Sequence, residues 1–150
     1  MSTARTPGSH DKRSAARSVS RKLAMQALYR WQINISPWQD LLQEFANDPD
    51  MVKADRDYFA ELIAGVGADR DALDEVLGGS TDRPPRELDP VEHAALLIGT
   101  WELRSRPDVP YRVAISEAVA LTRRFGATDG HKFVNAVLDR LARELRPDQY

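Results

Sequence analysis

Residues 131–145 read HKFVNAVLDRLAREL, and their spacing decides the fold class. Placed at 100° per residue, Val134, Val137, Leu138, Leu141 and Leu145 gather within about 100° of arc. A helix with one apolar stripe must be covered by other elements, so the pattern predicts a packed bundle. The same spacing recurs upstream. Tyr111, Ile115, Ala118 and Leu121 share a face of a helix ending near Phe125, with Gly126 to Gly130 as the loop between the two. Pro107 and Pro110 bracket the start of that helix. Asp89-Pro90, a capping acid followed by a first-turn proline, opens another that runs through Leu103. Arg83-Pro84-Pro85-Arg86 is a turn-rich linker between two halves.

In the first half, a long helix is expected from about Lys53 to Leu77 on Tyr58, Leu62, Ile63, Val66, Leu73 and Val76. Gly65 and Gly67 are its weak points, and a bend is expected there. Ser36-Pro37 reads as the start of a short helix through Phe45, broken by Asn47-Asp48-Pro49-Asp50. From Ser18, the residues Leu23, Ala24, Ala27, Leu28, Trp31 and Ile35 fall on one side of the first helix. No alternating strand pattern of useful length interrupts the series. The expected class is all-α. Residues 1–16, MSTARTPGSHDKRSAA, hold almost no large apolar side chain and are expected to be a disordered tail before a domain spanning 17–147.

A chain of 150 residues has room for one domain with a real core, burying roughly 68–70% of its unfolded surface. It contains no cysteine, which excludes disulfides, a thiol nucleophile and cysteine-based zinc sites. Nothing approaches the ~20 apolar residues of a membrane span, and no apolar run follows the basic N-terminus. A cytoplasmic location without membrane contact is expected. The net charge of −2 hides a segregation: +6 over residues 1–30, −10 over 31–92 and +2 over 93–150. A polyanion would meet the N-terminal arm and part of the C-terminal half, while the acidic middle stays away.

Large side chains that the helical wheel turns away from the core carry the functional signal. Phe133 lies roughly 100° from the centre of its stripe, flanked by Lys132 and preceded by Asp129. A ring beside cations suits stacking on an unpaired base, although a phenylalanine at a core edge covered by another helix has the same pattern. Tyr29 sits about 160° from the apolar stripe of its helix, beside Lys22, Met25 and Gln26. That face suits a protein interface, or equally a helix covered on both sides. Arg21 and Gln32 lie between the two faces. Arg13, Arg17, Arg21 and Lys22 form a basic cluster suited to phosphates, or simply a solvated surface. Leu96 and Leu103 make a second apolar line on the fourth helix, with Glu92 among them. Glu92 fits an interface salt bridge or, more plainly, a first-turn acid favoured by the helix dipole.

Catalysis finds no support. His10, His93 and His131 have no metal-ligand spacing, and Gly65-Val66-Gly67 lacks the third glycine and preceding strand of a dinucleotide fingerprint. No nucleophile elbow or phosphate-binding loop occurs, and acid pairs such as Asp74-Glu75 carry no signal in an acidic helix. Neither a metal nor a cofactor is expected.

The strings Ala24-Met-Gln-Ala-Leu-Tyr-Arg-Trp-Gln32, Tyr58-Phe, Ile63-Ala-Gly-Val66, Glu102-Leu and Asp108-Val-Pro-Tyr111 resemble the NusB family in order and spacing. So do Ala114-Ile-x-Glu-Ala118, Phe125-Gly-Ala and His131-Lys-Phe-Val-Asn-Ala-Val-Leu-Asp139. The similarity covers about residues 17–147. It implies a compact fold of six to seven helices in two packed subdomains, acting as a transcription antitermination factor. The partners it implies are NusE, a ribosomal small-subunit protein, and single-stranded boxA RNA of ribosomal RNA leaders, within a polymerase elongation complex that carries other Nus factors. Arg17, Arg21, Asp129, Lys132 and Phe133 match the family's RNA surface, with Arg13 and Gln32 beside it. Tyr29 and Glu92 match positions that contact NusE. Two departures stand out: Ser18 and Val19 interrupt the arginine run, and Leu97 replaces an arginine found in many members. Two rival readings are a helical module of ribosomal RNA cytosine methyltransferases, which needs a further cofactor domain, and a self-associating bundle with Tyr29 and the Leu96/Leu103 line as its seam.

Overall fold

The computed structural model describes residues 9–149, except the side chains of residues 9 and 10. Among the described residues there are six α-helices: α1 (Ser9–Ile33), α2 (Gln39–Phe45), α3 (Arg56–Gly78), α4 (Pro90–Ser105), α5 (Tyr111–Phe125) and α6 (Gly130–Leu145). Short 3-10 turns lie at Pro49–Lys53, Pro85–Glu87 and Pro147–Gln149. No strand occurs among the described residues, so the all-α expectation holds. Helices α1 to α3 pack as one group and α4 to α6 as another, joined where α4 lies against α1 and α3. Helix α4 is covered on every side, and each residue from Glu92 to Leu103 is buried. Leu96 and Leu103 are therefore core residues rather than an exposed seam, and Leu97 is sealed as well.

Helix α1 begins at Ser9, well before the expected Ser18. Residues 9–16 of the expected tail continue the helix because they contain neither glycine nor proline and include Lys12, Arg13, Ala15 and Ala16. The Ala16 carbonyl also accepts from the Asp55 amide at 3.3 Å and from Ser20 Oγ at 3.1 Å, tying this stretch to the start of α3. Residues 1–8 of the tail lie outside the described residues. Helix α2 starts later than expected, at Gln39, because Ser36 and Pro37 form the turn before it. Trp31 Nε1 donates to the Ser36 carbonyl at 2.6 Å. The start of α3 is set by Asp55, whose carboxylate accepts from the Tyr58 amide at 3.0 Å.

The break in α3 falls at Asp69 (φ −121°, ψ 22°), not at the glycines. Gly65 and Gly67 serve packing instead. A Cβ on Gly65 would stand 2.2 Å from Trp101 Nε1, and one on Gly67 would stand 2.5 Å from Trp38 Cγ, so two indoles rest directly on the α3 backbone. The cap expected at Asp89 is present, its carboxylate accepting from the amides of Val91 (2.9 Å) and Glu92 (3.2 Å). At the other end of α4, the buried Arg146 guanidinium donates to the carbonyls of Glu102, Leu103, Arg106 and Val109 at 2.8–3.0 Å. A cation there satisfies carbonyls that the helix end leaves open and fixes the loop leading to α5.

Candidate nucleic-acid interface

Helices α1 and α4 run antiparallel, with Arg21 meeting Glu102 at one end and Gln32 meeting Pro90 at the other. The candidate residues divide between these two ends.

At the first end, Arg21 is only 3% exposed. Its guanidinium pairs with Glu102 at 2.8 Å and Glu117 at 2.7 Å, and Glu102 also accepts from the Tyr58 hydroxyl. Burial works against the Arg21 charge, yet Glu102, Tyr58 and Glu117 hold its pKa above the ordinary value. Burial, then Glu102, pushes the Tyr58 phenol up in turn. A helical wheel cannot show that two acids from other helices converge on Arg21. Its charge is consumed inside the bundle, and its place is beneath the surface rather than on it. Arg17 is the outward group: its guanidinium stacks 4.4 Å from the Tyr58 ring centroid and lies 3.5 Å from Asp108. Arg106 covers the same ring at 4.9 Å and holds Asp108 at 2.9 Å and 3.0 Å. Those hydrogen bonds, working against burial, draw the Asp108 carboxyl down to about 2. Arg13, Ser14, Arg17, Asp108, Pro110 and Val113 line a cleft of about 280 Å³ over this network, and Arg13 is exposed.

At the second end, Gln32 is held on both sides of its amide. Nε2 donates to the Pro90 carbonyl at 3.0 Å, and Oε1 lies 3.1 Å from His93 Nδ1. The other nitrogen of His93 lies 2.6 Å from Asp74 Oδ1, so this buried histidine joins α4 to both α1 and α3. Sequence spacing gives His93 no role because its partners come from distant segments. Asp129, which precedes α6, has a left-handed backbone (φ 68°) and pairs with Lys132 at 3.2 Å. Both side chains are exposed, whereas Phe133 is half-buried at the core edge. The side chain thus packs partly against the core and stays partly accessible.

Tyr29 is 39% exposed and, with Met25, Gln26, Val91 and Phe125, lines an apolar cleft of about 270 Å³. Met25 is not outward-facing as expected but buried, at 2% exposure, on the floor of a cleft that it shares with Val91 of α4 and Phe125 of α5. Glu92 is 8% exposed, and its carboxyl is raised by burial, then by Asp89, against the pull of Arg83. Arg124, stacked 4.8 Å over the Phe125 ring, adds an exposed cation beside this region. It is not among the residues expected from sequence, although paired arginines in the last turn of α5 were the available signal. The cluster at Arg17 and the one at Phe133 are not brought into one pocket. They occupy opposite ends of α4, separated by about 15 Å of helix rise.

A model of the NusB family matches residues 18–143. The chain belongs to the NusB family. The transcription antitermination protein NusB of Idiomarina loihiensis is 49% identical over 133 residues, covering 89% of this chain and 96% of that protein. The NusB of Teredinibacter turnerae is 51% identical over 133 residues, covering 88% and 90%. Among solved structures, a T. maritima NusB aligns with a TM-score of 0.75 at 25% identity, covering 89% of this chain and 95% of that one. The antitermination factors NusB and NusE in complex with dsRNA provide a second match, with a TM-score of 0.68 at 21% identity over 85% and 96%. The second match bears on the fold alone. No helix among the described residues is long and apolar enough to cross a membrane.

Proposed function

We propose that this chain is a non-catalytic, cytoplasmic transcription antitermination factor that binds single-stranded boxA RNA of ribosomal RNA leaders together with NusE. Its wider setting is an RNA polymerase elongation complex with other Nus factors. The observation that carries this reading is Phe133, half-covered at the start of α6 beside the exposed Lys132 and Asp129. A ring partly held by the core and partly accessible stacks with an unpaired base at little entropic cost. Arg13 and Arg17 supply the electrostatic end of the RNA surface, and Arg21 supports Arg17 from below through Tyr58. Gln32 acts by anchoring α1 to the start of α4. Tyr29, at the edge of an apolar cleft, and Glu92 form the NusE side. Support for the same assignment comes from relatives at 49–51% identity that are transcription antitermination proteins.

The test is a titration of labelled boxA RNA with and without NusE. Phe133→Ala should weaken RNA binding by about 1–3 kcal/mol and leave NusE affinity in place, while Tyr29→Asp does the reverse. Removing one cation that meets a phosphate, as in Arg13→Ala, should reduce the salt slope by about 0.7. Equal loss of both partners by either aromatic substitution, with the fold intact, refutes the assignment.

A further inference from the structure

Arg146 follows α6 and is only 7% exposed, yet its guanidinium is saturated. Nε donates to the Leu103 carbonyl at 2.8 Å. One terminal nitrogen donates to the Val109 carbonyl (2.9 Å) and to Gln149 Oε1 (3.3 Å), and the other to the carbonyls of Glu102 (3.0 Å) and Arg106 (2.8 Å). A guanidinium has five N–H donors, so each is used on a different oxygen. Glu102 and Leu103 belong to the last turn of α4, whereas Arg106 and Val109 belong to the connection 106–110 between α4 and α5. The amides of that connection add bonds from Arg106 to the Glu102 carbonyl and from Val109 to the Arg106 carbonyl, at 3.0 Å each. Arg106 and Asp108 on the same connection reach outward to Arg17. Arg17 Nε is buried and makes no hydrogen bond among the described residues, so the guanidinium is placed by the Tyr58 ring below it and by Asp108 at its side, 3.5 Å away. Arg106 grips Asp108 with two nitrogens and also pairs with Glu61. A long, partly exposed pair such as Arg17 and Asp108 has little energy of its own, and its geometry is inherited from the backbone that carries Asp108.

Resting on the function proposed above, we propose that Arg146 is a positioning residue for RNA binding, fixing the connection 106–110 from the interior and thereby the place at which Arg17 meets a phosphate. It touches no RNA itself, being sealed behind that connection. A cation already held in place loses less freedom when a ligand arrives. Lysine at 146 would keep the charge but bring three donors to five acceptors, and so would loosen the connection.

The test is a double-mutant cycle on the full chain, read by fluorescence anisotropy of a labelled single-stranded boxA RNA. Arg146→Lys should lower RNA affinity about threefold or more, whereas in an Arg17→Ala background it should change affinity by less than about 1.5-fold. Arg106→Gln, which removes the next link without disturbing the interior, should show the same dependence on Arg17. Gly65→Ala, which crowds Trp101 and lowers stability from elsewhere, should leave RNA affinity within about twofold of wild type. Without RNA, the Asp108 carboxyl, held at about 2 chiefly by hydrogen bonds from Arg106, should titrate closer to its ordinary 3.8 in Arg146→Lys when followed by NMR. Equal losses from Arg146→Lys with and without Arg17 overturn the proposal and leave the functional reading intact. So does an Asp108 carboxyl that titrates as in wild type, or an RNA loss that tracks melting temperature alike in Arg146→Lys and Gly65→Ala. If Arg146→Lys does not fold, additive losses from Arg106→Gln and Arg17→Ala overturn it in the same way. Failure of the wild type to bind boxA RNA overturns the functional reading and this proposal with it.

Discussion

Arg21 and Glu102 form a salt bridge of 2.8 Å in which the side chains keep only 3% and 0% of their exposure. A buried pair contributes little over a well-packed apolar pair, but removing one member leaves the other uncompensated. Arg21→Met should therefore cost roughly 3–5 kcal/mol, measured by urea denaturation. Arg13→Met, at an exposed position of the same helix, should change stability by no more than about 0.5 kcal/mol. Similar, small effects at both positions would contradict the assignment of Arg21 to the interior.

Asp108 gives the acid limb of stability a defined sign. Its folded pKa of about 2 lies below the ordinary 3.8, so it stabilises the fold fully above about pH 4 and loses that contribution as pH falls toward 2. Its side chain is 53% exposed, so the effect is modest. Melting temperatures between pH 7 and pH 2 should decline less steeply below about pH 4 in Asp108→Asn than in wild type. Parallel curves would show that Arg106 and Arg17 do not hold the carboxylate in solution.

Gly65 and Gly78 sit on the same helix and should respond in opposite ways to the same substitution. A methyl group on Gly65 would meet the Trp101 indole at 2.2 Å, whereas nothing lies within 4 Å of one on Gly78. Gly65→Ala should cost about 1–3 kcal/mol or more through overpacking. Gly78→Ala should be neutral or stabilising by up to about 1 kcal/mol. Thermal denaturation of the two variants decides it, and a tolerant Gly65 would mean that the indole can move away.

The helices are legible in the sequence because periodicity and capping are local: Asp89-Pro90, the stripe of α6 and the loop from Gly126 all fall where the spacing places them. What escapes the sequence depends on which elements cover a given face. The wheel puts Arg21 at the margin of α1 but carries no information about Glu102 and Glu117 arriving from α4 and α5. It turns Met25 outward because the residues that share its cleft, Val91 and Phe125, are distant in the chain. The break at Asp69 escapes because the two glycines are the weaker helix formers, when their role is to admit tryptophans. The spacing of Phe133 fits either an exposed ring or a core edge, and the ring is half-covered.

The first helix runs unbroken from Ser9 through residues that are fully packed, so Lys12 and Arg13 ride on an extension of a fixed rod. Most of the entropy of arranging those cations is lost during folding, not on encounter with a polyanion. Arg13 and Arg17 stand one turn apart and so present positive charge at a set pitch. A flexible strand must adapt its own backbone to that pitch, which makes the protein the template and the nucleic acid the partner that reshapes.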